Sequence, residues 1–199
     1  MVLAKIKFFM YNIKHKYSIQ KLEARVSISN KLLSVNEYIN IVKKSKSLLI
    51  QYEKDKNIIE IGNEVMKNVE NIESLILVCV SKANPNWIAW DRVVHFKHQL
   101  IQFYFFARQA EEEHIRFLKT AFQLEYLGLC GVNDLTFIKT LTNLKSLELR
   151  RGQVRYSYFG EKFDLQHIRL EDISLDKDIH LPPLPKLGFA ELHYVKEKE

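Results

Sequence analysis

A spaced apolar pattern, Leu-x-x-Leu-x-Leu in its ideal form, recurs along the 199-residue chain. Close matches begin at Leu124, Leu144, Leu165 and Leu184, and looser or partial ones at Ile19, Leu48, Ile72 and Leu100. Such recurrence indicates a repeat architecture, in which each unit buries its apolar face only by stacking on its neighbours. The sequence therefore predicts about eight stacked units.

The spacing of the units predicts what lies between them. Their central apolar residues fall at positions 22, 48, 75, 103, 127, 147, 168 and 187, so the units become shorter towards the C-terminus. The longer units have room for helices: Ser34 and Glu37 have the spacing of a capping box, apolar residues recur at helical spacing from Ile58 to Val69, and a third helix is predicted over 110–122. We expect helices behind the N-terminal units and short turns behind the C-terminal ones.

Alternation within each unit predicts a strand with one buried face. Successive side chains of a strand point to opposite sides. Leu127 and Leu129 therefore point into the core, whereas Gly128 and Cys130 point away from it.

The stretch LGLCGVNDLTFIKTLTNLKSLEL, from Leu127 to Leu149, resembles the leucine-rich-repeat family, and in particular the short bacterial repeats of the internalin type. The resemblance covers residues 19–195, although the asparagine that the family places after each strand is matched only loosely, at Asn133. It implies an α/β leucine-rich-repeat solenoid with about eight parallel strands on the concave side. It also implies a role in binding, without naming the partner.

The domain organisation follows from the scarcity of linker residues. Six glycines and four prolines provide no flexible linker, so residues 1–199 are predicted to form a single solenoid. Within it, the apolar segment 1–18 is expected to be an N-terminal cap, 19–195 the repeats and 196–199 a charged tail.

Cysteine content and hydropathy bear on the compartment. Cys79 and Cys130 make no disulfide framework, and as residues two strands apart they are expected to be free thiols. No apolar run is long enough for a signal peptide or a transmembrane segment. A cytoplasmic location is the expectation.

Charge leaves a second function open. The net charge is +6, and residues 1–56 hold twelve Lys/Arg against four Asp/Glu. One alternative is thus a peripheral nucleic-acid or anionic-membrane binder acting through the basic N-terminal third. The lysines are scattered and form no arginine-rich run, which favours a solvated exterior, and the outward strand positions carry both signs, which makes nucleic acid an unexpected partner.

Enzymatic chemistry finds little support in the sequence. The sequence has the pair His95 and His98, followed by Glu111 and His114, whose Glu-x-x-His spacing resembles half of a di-iron site. Such a site needs a second Glu-x-x-His, which is missing. Neither a nucleophile elbow nor a phosphate-binding glycine loop is present. We expect a protein that is not an enzyme and that has no metal and no cofactor.

The outward strand positions supply the candidate binding site. Their centre is apolar and aromatic, and their C-terminal part carries both charges, a composition typical of protein interfaces. The expected function is a non-enzymatic protein-interaction scaffold, and analogy with the family adds a toxin-neutralising partner or an assembly adaptor as a further alternative. The predicted site consists of Ile76, Val78, Gln102, Tyr104, Phe106, Glu125, Tyr126, Lys145, Glu148, Arg150, His167, Arg169 and Glu171.

Overall fold

The computed structural model describes residues 26–28, 33–52, 56–79, 83–107, 110–154, 164–175, 186–194 and 196–197. Its strands form one sheet in which every described pair is parallel and β1 to β8 follow in chain order, while β9 pairs with β7. The strands are β1 Val26–Ile28, β2 Ser47–Tyr52, β3 Ser74–Cys79, β4 Gln102–Phe106, β5 Tyr126–Cys130, β6 Ser146–Val154, β7 His167–Leu175, β8 Phe189–His193 and β9 Lys196–Glu197.

The connections on the convex side shorten along the chain, as predicted. The α-helices are α1 Val35–Ser45, α2 Lys56–Lys67, α3 Trp90–His95 and α4 Glu112–Ile115, and the 3-10 helices are Pro85–Trp87, Arg116–Thr120 and Thr136–Thr140. Two full helices thus lie behind the first units, and a single 3-10 helix lies between β5 and β6. None of the described helices combines the length and apolar character needed to cross a membrane.

The helix predicted over 110–122 is wrong in extent. The structure has the four-residue helix α4 followed by a 3-10 helix, and Phe122 lies beyond both and is half-exposed. The buried apolar residues of this stretch are Ile115, Phe117, Leu118 and Ala121.

Helix α1 begins at the predicted capping box. Ser34 Oγ accepts a hydrogen bond from the Glu37 N–H at 3.3 Å, and Glu37 Oε2 accepts one from the Ser34 N–H at 2.8 Å. These two bonds satisfy backbone donors that the first turn otherwise leaves unpaired.

The main core is built from the alternate residues of neighbouring strands. Two rows of side chains cross the sheet at matched register, and all of them are buried against the convex elements. One row is Leu48, Leu75, Phe103, Leu127, Leu147 and Ile168, and the other is Ile50, Leu77, Phe105, Leu129, Leu149 and Leu170. The predicted assignment of Leu127 and Leu129 to the core is confirmed.

The predicted register is wrong at the C-terminal end. Ala190, and not Leu187, lies opposite Ile168, so Phe189 falls on the concave face. Leu187 instead lies before β8, three residues ahead of Ala190. It corresponds to the buried Leu165, which lies three residues ahead of Ile168. The Leu-x-x-Leu spacing had matched one leucine too early, at Leu184.

The predicted N-terminal cap and charged tail lie mostly outside the described residues. Val26 lies opposite Leu48, whereas the predicted central residue Leu22 and the predicted cap, 1–18, lie outside the described residues. Alternation of β-branched residues around Ser27 favours a strand at that point. Within the predicted tail, Lys196–Glu197 form β9.

Candidate functional site

Three rows of side chains cross the concave face of the sheet. Each row joins residues paired in register on successive strands, and alternates with the core rows because strand side chains alternate. The first row is Ser47, Ser74, Gln102, Tyr126, Ser146, His167 and Phe189; the second is Leu49, Ile76, Tyr104, Gly128, Glu148, Arg169 and Glu191; the third is Gln51, Val78, Phe106, Cys130, Arg150, Glu171 and His193. Glu125 and Lys145 come immediately before β5 and β6 and border the first row.

A second apolar cluster, separate from the main core, lies on the N-terminal half of this face. We call it the concave cluster; it consists of Leu49, Ile76, Tyr104, Val78, Phe106 and Tyr126. Leu49 was missed by the sequence prediction because its unit matches the repeat weakly. The signal was there, since Leu48, Leu49 and Ile50 are all apolar and one of three consecutive strand residues must face away from the other two.

Packing of the concave cluster depends on a glycine. Tyr104 of β4 lies opposite Gly128 of β5, and a Cβ built on Gly128 would stand 2.0 Å from Cδ1 of the Tyr104 ring. The ring therefore lies across the neighbouring strand, where any larger residue would collide with it. The centroid of the Tyr104 ring is 5.7 Å from that of Phe106, so the two rings are neighbours within the cluster.

Several of the outward side chains of the predicted site are covered by their neighbours and are not exposed to solvent. Ile76 is 0% and Tyr104 3% exposed, and Glu148 is 7% exposed. Val78, Phe106 and Tyr126 are only partly buried and pack against the buried members of the cluster. These three side chains are the reachable part of the concave cluster.

Alternating charges occupy the C-terminal half of the face. We call this group the charged lattice; its members are Glu148, Arg150, Arg169, Glu171, Glu191 and His193. Within each strand an acidic residue and a basic one stand two positions apart: Arg150 Nη2 is 2.7 Å from Glu148 Oε1, Arg169 Nη2 is 3.2 Å from Glu171 Oε2, and His193 Nε2 is 2.7 Å from Glu191 Oε1.

The signs in the lattice also alternate across the strands. Arg150 Nε is 3.4 Å from Glu171 Oε2 on β7, and Arg169 Nε is 3.6 Å from Glu148 Oε1 on β6. Arg169 Nη1 also lies 3.9 Å from Glu191 Oε2 on β8. Each guanidinium thus has carboxylates on its own strand and on a neighbouring one.

Burial shifts the pKa of Glu148, which lies at the centre of the lattice. It raises the pKa of Glu148 above the ordinary value, and Arg150 and Arg169 lower that pKa only in part. Losing water disfavours the charged form of a carboxyl, while adjacent cations favour it.

Arg150 joins the two halves of the face. It reaches across Cys130 so that its guanidinium carbon lies 5.5 Å from the centroid of the Phe106 ring. A guanidinium within about 6 Å of an aromatic centroid is attracted to the ring. The aromatic and charged parts of the predicted site therefore form one continuous surface.

The remaining predicted residues lie along the first row and its border. Ser74 Oγ donates to Gln102 Oε1 at 2.8 Å, and Lys145 Nζ pairs with Glu125 Oε2 at 2.9 Å. His167 is partly buried beside Phe189, with 6.3 Å between the ring centroids, and burial lowers the pKa of the His167 imidazole. Lowering this pKa favours a neutral His167 at physiological pH.

The histidines singled out by the sequence are not gathered at one site. His95 and His98 are exposed, whereas His114 is buried and stacks on Trp90 with 4.9 Å between ring centroids. His114 Nδ1 accepts a hydrogen bond from the Glu111 N–H at 3.2 Å. Nε2 then carries the ring proton and donates a hydrogen bond to Asn86 Oδ1 at 2.7 Å.

One possible ligand set includes this histidine. Side-chain atoms of Glu111, Glu113 and His114 lie within 4.8 Å of one another. Metal ligation at Nε2 would displace the Asn86 hydrogen bond and would leave Nδ1 without the proton that ligating histidines usually donate to a second shell of acceptors. The arrangement around His114 is therefore that of a structural histidine that ties two loops together.

The two cysteines lie on opposite faces of the sheet and are free thiols. Cys79 packs against the main core, and burial raises its pKa to about 12. Cys130 lies in the third row of the concave face, and burial raises its pKa as well. Because the thiolate is the reactive form of cysteine, both side chains are poor nucleophiles at neutral pH.

Comparison with known proteins gives a likeness in structure only. No protein-family model matches the chain, and no curated protein matches it in sequence. Internalin C2 from Listeria monocytogenes str. 4b F2365 is 17% identical, with a TM-score of 0.53 over 85% of this chain and 80% of that one. An internalin (inlF) from the same strain is 14% identical, with a TM-score of 0.50; the match covers 80% of this chain but only 51% of that one. The parallel sheet, the stacked core rows and these likenesses together show that the chain has the leucine-rich-repeat solenoid fold.

Proposed function

We propose that the chain is a non-enzymatic scaffold that binds a partner protein on its concave strand face. The observation that carries this proposal is the concave cluster, an apolar group that does not belong to the main core. Buried aromatic anchors surrounded by polar residues supply most of the energy of protein interfaces. Phe106 and Tyr126 are the accessible aromatic members, with Val78 beside them.

The border between the two halves of the face favours a mixed contact. A partner side chain that packs on Phe106 also meets the Arg150 guanidinium over that ring. Apolar contact there supplies affinity, whereas the charged lattice sets the orientation, since complementary charges act mainly on specificity and association rate. The proposed contact region is therefore Val78, Phe106 and Tyr126, bordered by Arg150 and Glu171.

The charges of this face favour a protein over a nucleic acid as the partner. A surface that binds a phosphate backbone presents cations that are available to the phosphates. Arg150 and Arg169 are instead each placed beside carboxylates of the lattice. An incoming phosphate would have to compete with these carboxylates and would be repelled by them.

The proposal is tested by comparing variants of the full chain in affinity capture from the native host. Phe106→Ala and Tyr126→Ala each remove a ring from the proposed contact region. Phe122→Ala is the matched control, because Phe122 is 50% exposed and lies outside the concave face. Captured proteins are quantified by mass spectrometry after nuclease treatment, at low and at moderate salt.

We expect the wild type and Phe122→Ala to capture one or more proteins in similar amounts. With Phe106→Ala, the captured amount of the same proteins should fall by at least about tenfold. Retention that is equal for all variants would exclude this face as the binding site. Capture that disappears with nuclease or moderate salt, and is unaffected by Phe106→Ala, would favour a nucleic-acid or membrane binder.

A further inference from the structure

A second surface lies at the outer edge of β8, the strand that ends the described order β1 to β8. No other described strand pairs with β8 on the side away from β7. Phe189 donates its N–H to the Gln166 carbonyl of the β7 segment at 3.2 Å. Backbone groups alternate in direction along a strand, so those of Phe189, Glu191 and His193 face β7, and those of Ala190 and Leu192 face outwards.

Leu192 adds an apolar contribution to this edge. It lies in register with Leu170, on the side of the sheet that faces the core, yet it is 54% exposed where Leu170 is 1% exposed. Ala190, the other core-facing residue of β8, is also exposed. An open edge with exposed apolar side chains is a template for pairing with another strand.

The charged lattice stops at this edge with a complementary pair. Glu191 lies in the second row and His193 in the third, so β8 presents an acid and a base two residues apart on the concave face. Reversing the direction of such a strand exchanges the two positions. A second, antiparallel β8 would therefore continue the alternation of sign across the junction.

We infer that two copies of this chain associate edge to edge through β8, as an antiparallel strand pair with its two-fold axis at Leu192. Leu192 then lies opposite Leu192 of the second copy, and the two residues exchange both backbone hydrogen bonds. Glu191 of each copy lies opposite His193 of the other. A contact in which one surface patch meets its own copy is the usual form of a two-fold dimer.

Charge selects this register over the neighbouring one. An axis at Glu191 is equally allowed by the backbone, but it places Glu191 directly opposite Glu191 of the second copy. Like charges directly opposite on neighbouring strands are destabilising, whereas opposite charges contribute favourably. The axis at Leu192 removes the repulsion and buries the exposed leucine in the same step.

Sedimentation of the purified full chain over a concentration series tests the association. We expect a monomer–dimer equilibrium, and we expect Leu192→Lys to raise the dimer dissociation constant by at least about tenfold, because it opposes two cations at the axis. Ile41→Lys is the matched control: Ile41 is 39% exposed and lies on helix α1, away from the edge. A wild type that stays monomeric throughout, or a dimer that Leu192→Lys leaves unchanged, would overturn the inference.

Oxidative cross-linking tests the register. In a hydrogen-bonded antiparallel pair the Cα atoms of opposite residues are about 5.5 Å apart, within the range of a disulfide. Leu192→Cys should therefore form a covalent dimer under mild oxidation. Ala190→Cys should not, because the two copies of residue 190 are offset by four residues, roughly 13 Å along the strand.

The native thiols interfere little, since Cys79 is partly buried and Cys130 is buried. Cross-linking of Ala190→Cys at the rate of Leu192→Cys would contradict the proposed axis. The test is independent of the proposed partner site, because Phe106→Ala leaves the β8 edge intact. Failure of the dimer and failure of concave binding are therefore distinguishable.

Discussion

The ring of Tyr104 lies across Gly128 on the adjacent strand, leaving no space for a side chain at residue 128. The Tyr104 ring is 3% exposed, so it has little free space into which it can move. Gly128 thus provides the space in which the Tyr104 ring packs against the neighbouring strand. This relationship makes the geometry of the proposed contact region depend on a residue that has no side chain of its own.

Gly128→Ala is expected to lower the free energy of unfolding by about 1–3 kcal/mol, the usual cost of adding a methyl group to a filled site. The same substitution in a Tyr104→Ala background should cost less than about 1 kcal/mol, because the group with which the new methyl collides is gone. Urea denaturation of the wild type, both single variants and the double variant measures the coupling. Equal costs in the two backgrounds would show that the ring does not rest on Gly128.

The charged lattice predicts a pH dependence that centres on Glu148. Because burial raises its pKa in the folded chain, the folded state holds the proton more tightly than the unfolded state does. The associated stability is complete below the ordinary pKa of 4.5 and is lost as pH rises through the raised value. Glu148→Gln removes this titration, so the stability of the wild type relative to the variant should fall as pH rises from about 4.5.

For this single carboxyl, the relative fall is at most about 1.4 kcal/mol per pH unit. Denaturation of both proteins at a series of pH values measures it, with Glu70→Gln as the control, since Glu70 is an exposed surface carboxylate. A wild type that instead gains stability over Glu148→Gln with rising pH would mean that Arg150 and Arg169 outweigh burial. The lattice would then act as a conventional set of ion pairs.

The leucine pattern predicts the fold because, in the middle units, the leucines that recur at near-constant spacing in the sequence are the ones that pack together in the core. Leu127, Leu147 and Ile168 stack in register, as alternation and near-constant spacing require. At the C-terminal end, Leu184 and Leu187 both fit the first leucine of the pattern. Only pairing with β7 decides between them, and pairing is a property of the assembled sheet.

The exposure of the candidate site is harder to predict than its position. Alternation places Ile76, Tyr104 and Glu148 on the concave face correctly, but it does not say how far neighbouring side chains cover them. Burial of Tyr104 depends on Gly128, a residue 24 positions away in sequence. The local sequence pattern determines the face to which a side chain points, whereas the solvent accessibility of that side chain depends on contacts between strands.

A similar limit applies to the backbone directly after the third-row residues. Gly131, Arg151, Asp172 and Tyr194 all have positive φ and each follows a third-row residue, so the same left-handed turn recurs in four successive units. Gly131 and, less strongly, Asp172 are residue types that adopt this conformation readily. Arg151 and Tyr194 are not, so the sequence gives no signal for the turn at these two positions.

The histidine at residue 114 gives a prediction that separates a structural role from metal binding. His114→Phe keeps a ring against Trp90 but removes the acceptor for the Glu111 N–H and the donor to Asn86. We expect a loss of about 1–3 kcal/mol in the free energy of unfolding, the cost of leaving buried polar groups unpaired. His95→Phe is the control, because His95 is exposed, and it should change stability by less than about 0.5 kcal/mol.

Thermal denaturation with and without added zinc completes the experiment on His114. A ligand that binds the folded state raises its stability, so a structural histidine predicts that zinc does not shift the unfolding midpoint of the wild type or of His114→Phe. Stabilisation by zinc that is present in the wild type and absent in His114→Phe would instead identify Glu111, Glu113 and His114 as a metal site.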